Sequence, residues 1–188
     1  MARNKDLNHI FSTWNKDSAN PVLATGPSGA WDSAHVAPGS LIRDTNTFHL
    51  LYAGSDGQTW QIGYAKSPDL TTWSKDSENP ILSSGPDGAW DETLVHGSSI
   101  IKEDDTYHLL YRGQGGARNT DRIGHATSPD LKTWTKNPEN PVLDIGRAGA
   151  WDDTHVFGPA ILRKNETRER HQGGFLGIRS LNIPAYVV

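Results

Sequence analysis

Six tryptophans stand on one period. Trp14, Trp73 and Trp134 are separated by 59 and 61 residues, and Trp31, Trp90 and Trp151 by the same two intervals. The segments WNKDSANPVLATGPSGAW (14 to 31) and WSKDSENPILSSGPDGAW (73 to 90) share 12 of 18 residues, and WTKNPENPVLDIGRAGAW (134 to 151) keeps the pattern. A chain with such a repeat folds as stacked copies of one unit, each too small to bury its own core. The two-residue difference in period falls where GQGGARNTD replaces the shorter GSDGQT, which marks a surface loop.

Within one unit the pattern reads as strands. HVAPGSLIRD, TFHLLYAG and QIGYAKS are short, partly β-branched or aromatic, and closed by Gly, Pro, Asp, Asn or Ser. RDTNT and KEDDT form the polar tips of hairpins, and a fourth extended piece, TTWSKDSENPIL, follows a Ser-Pro-Asp-Leu turn. No segment carries a capped helical period. Four antiparallel strands in about 60 residues is the size of a β-propeller blade. The predicted fold is therefore all-β, a partial five-bladed β-propeller with about two and a half blades. Residues 1–30 are read as an arm plus the last strand of a preceding blade (9–23), 31–89 and 90–150 as full blades, 151–164 as the first strand of a third, and 165–188 as a non-repeat tail. Where a YHLLYRG-like strand is due after Lys164, the chain reads RERHQGGFLGIRSLNIPAYVV. Three readings stand at this point: a piece of a longer propeller, a degenerate third blade completed by residues 170–188, or a subunit that closes its ring by association.

Composition narrows the function classes. Seven tryptophans argue against disorder, and zero cysteines remove disulfides, thiolate zinc sites and cysteine nucleophiles. The net charge of −4 argues against a nucleic-acid partner. No apolar run approaches the length of a membrane helix, and the polar start MARNKDLNHIF lacks the apolar segment of a secretory signal, so the chain as written reads as cytoplasmic.

The run NPVL-x5-GAWD-x2-HV, with FHLLYAG, IGYAKSPDLTTW, YHLLYRG and IGHATSPDLKTW, resembles the five-bladed β-propeller glycoside hydrolases of the arabinanase, levansucrase and invertase superfamily, families 43 and 32 above all. The resemblance covers residues 9 to 164. It implies chemistry on glycosidic bonds of plant or microbial oligosaccharides or polysaccharides at a pocket on the propeller axis. Such chemistry needs two carboxyl groups flanking the bond, one protonated and one ionised. No cofactor is implied, and a central calcium ion only by analogy. The sequence departs from the family where an Asp-Pro pair begins the first inner strand: the matching positions are Ala37-Pro38, His96-Gly97 and Phe157-Gly158. A non-catalytic carbohydrate-binding propeller and a glycoside phosphorylase are the alternative functions.

Strand order puts the connections between blades and the loops between second and third strands on one face. Candidate acids there are Asp32, Asp91 and Asp152, each after a tryptophan; their competing reading is a turn cap repeated in every blade. Candidate substrate contacts are His35, His96 and His155, Trp60, which alone lies outside the tryptophan repeat, and Arg112 and Arg122, which could grip a carboxylate or phosphate. Arg118 and Asp121 share that rim, and no zinc-like spacing accompanies them. Open sheet edges template association. The 188-residue chain expressed alone is expected to associate, and a monodisperse monomer in light scattering would contradict this.

Overall fold

The computed structural model describes residues 16–161. Trp14, residues 9–15 of the expected leading strand, and the 165–188 tail lie outside the described residues. The described part of the leading segment, 16–30, holds turns rather than a strand.

Eight strands and no helix occur among the described residues: β1 (His35–Asp44), β2 (Thr47–Ser55), β3 (Trp60–Ser67), β4 (Ser74–Lys75), β5 (Leu94–Glu103), β6 (Thr106–Gly115), β7 (Thr120–Ser128) and β8 (Thr135–Lys136). Strands β1 to β4 pair antiparallel in sequence order, and β5 to β8 repeat the arrangement. The two blades are joined in register only at Trp60 and Leu94, a parallel pair. β1 packs against β5, whereas β4 and β8 do not meet, so the blades converge at their first strands and splay outward. That is the sector geometry of a propeller, with β1 and β5 innermost. The hairpin tips turn at Thr45 (φ 50°) and Asp104 (φ 51°), left-handed positions that polar residues tolerate.

The fourth strand is shorter than the sequence suggests. Only two residues join the ladder, followed by single bridges from Leu82 to Ile62 and from Leu143 to Ile123. The reason is the Asn-Pro pair. Pro80 and Pro141 have no N–H to give a ladder. The preceding side chains substitute: Asn79 Oδ1 accepts from Tyr64 N at 2.7 Å while its Nδ2 donates to Tyr64 O at 2.9 Å, and Asn140 treats His125 the same way at 2.9 and 3.0 Å. One amide thus occupies the donor and acceptor that a strand residue would.

The same asparagines begin a clamp that crosses each blade. Asn140 Nδ2 donates to the Tyr111 hydroxyl (3.1 Å), which donates to Asp91 (3.3 Å), and Lys136 Nζ donates to that carboxylate from the outer strand at 2.6 Å. Asn79, Tyr52, Asp32 and Lys75 repeat the network in the first blade. Burial first, then the neighbouring aspartate, pushes both tyrosine hydroxyls far above their usual range, so they remain donors. Trp31 and Trp90 lie across Gly54 and Gly63, and across Gly113; a Cβ there would strike the indole. Trp73 and Trp134 close the Ser-Pro-Asp-Leu turns, each indole N–H donating to the leucine carbonyl three residues back.

Alternation gives each blade two apolar faces. Ile42, Leu51, Ile62 and Tyr64 of the first blade pack on Ile100, Leu109, Tyr111 and Ala126 of the second. On the opposite faces Leu41 of the first blade is 51% exposed, while Leu110 and Ile123 of the second are buried with Val156, beside a hollow lined by Ile101, His108 and His125 and reached by Ile161. Truncating Tyr111 to Phe keeps the ring packing but strips Asp91 and Asn140 of a buried partner, which costs about 1–3 kcal/mol. Urea unfolding of Tyr111→Phe is expected to show that loss; an unchanged midpoint would remove the clamp from the stability of the blade.

Candidate functional site

The axis-side end where β1, β3 and β5 begin and β2 ends collects most of the polar candidates. Register places His35 opposite Ser55, Ser55 opposite Trp60 and Trp60 beside Leu94, so the first blade presents its strand ends there to the second. Trp60 N donates to Thr93 O at 3.1 Å and sets the indole at the joint. The ring stacks on His35 (centroids 5.7 Å apart, planes at 25°) and meets His96 edge-on (5.1 Å, 76°). Trp60 was expected on a loop; it is the first residue of β3, where it pairs with Ser55 of β2 while its N–H reaches the next blade.

The next joint has different chemistry at equivalent places. Asp121 stands where the first blade has Trp60, Arg112 where it has Ala53, and His155 where the second blade has Leu94. These three side chains meet. Arg112 Nε donates to Asp121 Oδ1 at 2.6 Å, His155 Nδ1 is 2.9 Å from Asp121 Oδ2, and Val156 N donates to Asp121 O at 3.0 Å. Asp121 is only 4% exposed, and its pairing with Arg112 is of the charge-assisted kind. The guanidinium lies over the Phe157 ring, 5.5 Å from the centroid. His96 lies opposite Arg112 in the β5–β6 register and links the two joints. Burial, and then the Arg112 charge, hold its imidazole below the ordinary histidine range.

His35, Trp60, His96, Arg112, Asp121 and His155 therefore form one continuous cluster. Arg122 is not in it: its Nε is 2.8 Å from Asp144, on the outward segment of the second blade. Successive strand residues point to opposite faces, so Arg122 cannot share the direction of Asp121. Arg118 sits exposed in the loop before β7. Asp32 and Asp91 are buried in the blade clamps, and Asp152 occupies the same turn, its carboxylate against Gly146 as theirs are against Gly26 and Gly85. Sequence reasoning placed Asp121 on this rim without a role and counted Phe157 only as a missing acid. The signal was present in the repeat, where Asp121 replaces Trp60. Among the described residues no three metal-binding side chains converge, and no helix is long and apolar enough to cross a membrane.

No family model matches the chain. A β-1,2-mannobiose phosphorylase of Thermoanaerobacter sp. (strain X514) is 30% identical over 132 residues, covering 62% of this chain and 43% of the relative. A protein of Bacteroides ovatus ATCC 8483, classed by inference as a glycoside hydrolase, has a solved structure 27% identical with a TM-score of 0.54, covering 64% of this chain and 39% of that one. A family 117 glycoside hydrolase from Zobellia galactanivorans shares the fold at a TM-score of 0.57 and 17% identity, over 73% of this chain and 48% of that one. The chain thus spans less than half the length of each. Its blades are those of the propeller glycoside hydrolase-like superfamily, matched over part of its members' length.

A histidine whose native value lies below its unfolded value binds fewer protons when folded, so its contribution to stability is lost as pH falls below about 6.5. His96 is accordingly expected to titrate below the exposed histidines in an NMR pH series, and His96→Phe to flatten the acid limb of stability against pH. An ordinary titration would contradict the burial of His96 against Arg112.

Proposed function

We propose that these blades form the sugar-recognising end of a protein that acts on glycosidic bonds of an oligosaccharide or polysaccharide. The observation that carries this reading is the continuous aromatic and ionic cluster at the axis end of the blade joints. Trp60, with His35 on one face and His96 at its edge, presents an aromatic surface of the kind that packs against sugar C–H groups. Arg112 and His155 present polar groups on the same rim, suited to hydroxyl or oxyanion contacts. Hydrolysis, which calls for a pair of carboxyl groups, is favoured by the likeness to the solved Bacteroides ovatus structure. In this reading Asp32 and Asp91 hold their blades, because each already accepts from a tyrosine and a lysine, and Asp152 takes the same turn.

Phosphorolysis is the second reading. It is favoured by the likeness to a mannobiose phosphorylase and by a guanidinium that Asp121 and Phe157 hold in place. The two differ in the acceptor, water or inorganic phosphate.

A panel of oligosaccharides incubated with and without inorganic phosphate separates them. Release of reducing sugar without phosphate supports hydrolysis, phosphate-dependent release of a sugar phosphate supports phosphorolysis, and binding without release leaves a carbohydrate-binding propeller. Absence of both binding and release across the panel would sink the proposal. Trp60→Ala is expected to weaken sugar binding roughly tenfold, the scale of one lost aromatic contact.

A further inference from the structure

The hollow on the far face of the second blade lies where the described chain leaves off. Ile161 stands in its wall and its N–H donates to Ser99 Oγ at 3.0 Å, so the chain departs from the hollow itself. The face beneath has a covered counterpart. Ile101 and Leu110 take the places of Ile42 and Leu51, on which the second blade packs, and Trp151 takes the place of Trp31 and Trp90. Those two indoles lie on Gly54 and Gly113, each 23 residues further along, whereas Trp151 is 80% exposed. Residues 165–175, which hydropathy leaves as the start of a tail, hold the same marks in frame. Asn165 falls where Thr45 and Asp104 turn with positive φ (50° and 51°), a conformation in which asparagine is enriched. Thr167 falls where Thr47 and Thr106 open the second strand, and Gly174 falls 23 residues after Trp151. The frame loses its apolar filling, since Arg170 and Gln172 replace Leu109 and Tyr111.

We propose that residues 167–175 return antiparallel along 155–164 and cover the hollow as the second strand of a third blade, with Gly174 beneath the Trp151 indole. Strand alternation puts Arg168, Arg170, Gln172 and Gly174 on one side of that strand. Glu103 in the lining of the hollow gives the two arginines a carboxylate, while their methylene stems cover the apolar floor. The first joint already uses such a pair. Lys102 Nζ lies 3.8 Å from Asp44 across it, and Glu103 takes the place of Asp44 in the second blade.

The chain has no cysteine, so an introduced pair can bond only itself or another copy. The register that sets Leu41 opposite Leu50 and Ile100 opposite Leu109 sets Ile161 opposite Arg170. Facing residues of antiparallel strands lie within disulfide reach, and the next residue points to the other side. In the full chain, Ile161→Cys with Arg170→Cys is expected to oxidise within one molecule about tenfold faster than Ile161→Cys with His171→Cys, because one extra residue barely changes loop closure. Equal rates overturn the proposal. A disulfide formed only between chains puts a second copy in the hollow and overturns it too. Oxidation of Trp151 by N-bromosuccinimide, followed by peptide mass, reads the indole. Gly173 takes the place of Ala53 and Arg112, where a side chain fits, so Gly173→Val is expected to leave Trp151 as protected as in the native chain, and Gly174→Val to expose it. A native Trp151 that reacts as fast as it does in urea overturns its placement on Gly174.

Discussion

The buried aspartate at the start of each blade is the constraint on which the rest depends. Asp91 and Asp32 each draw a tyrosine from the second strand and a lysine from the outer strand to one carboxylate, and the tyrosine carries the asparagine that replaces the missing ladder. An ion pair of this kind adds little net stability, because desolvation offsets most of the attraction, yet breaking it is costly. Its effect is on register. A one-residue slip of any strand would turn its side chain to the other face and leave a carboxylate buried without partners. Stability comes instead from the apolar joint between the blades, where each buried Leu, Ile or Val side chain contributes about 1.5–3 kcal/mol. The clamp decides which face is offered to that joint.

Once the clamp is common to both blades, differences between them acquire meaning. The aromatic joint at Trp60 and the ionic joint at Asp121 occupy equivalent places, so neither chemistry is required for stacking blades. Both lie where the inner strands begin, with His96 between them. Strand ends at a propeller axis are free of ladder obligations on one side, which leaves their side chains available to a ligand. The same logic assigns the histidines at the other end differently. His49 bonds Tyr64 and His108 bonds His125 at matching positions on the two blade faces.

Much of this was legible in one dimension. The strands HVAPGSLIRD, TFHLLYAG and QIGYAKS match β1, β2 and β3 to within a residue, because alternation and turn residues are local signals. The fourth strand was overestimated, since nothing local says that Asn79 bonds the β3 backbone with its side chain. Arg112 and Arg122 were grouped because they flank one loop, and strand alternation separates them. Asp121 was visible as a departure from the repeat, but its partners Arg112 and His155 lie 9 and 34 residues away.

The sequence by itself determined the period, the strands, the turns and the repeated residues that tie each blade together, since these rest on contacts within one 60-residue unit. Only the tertiary structure decided which departures from the repeat meet. Face-to-face stacking brings together residues from successive units, and the partner of a side chain across that joint depends on the splay of two sheets rather than on any spacing along the chain. Trp60 gained His96, and Asp121 gained His155, by that route.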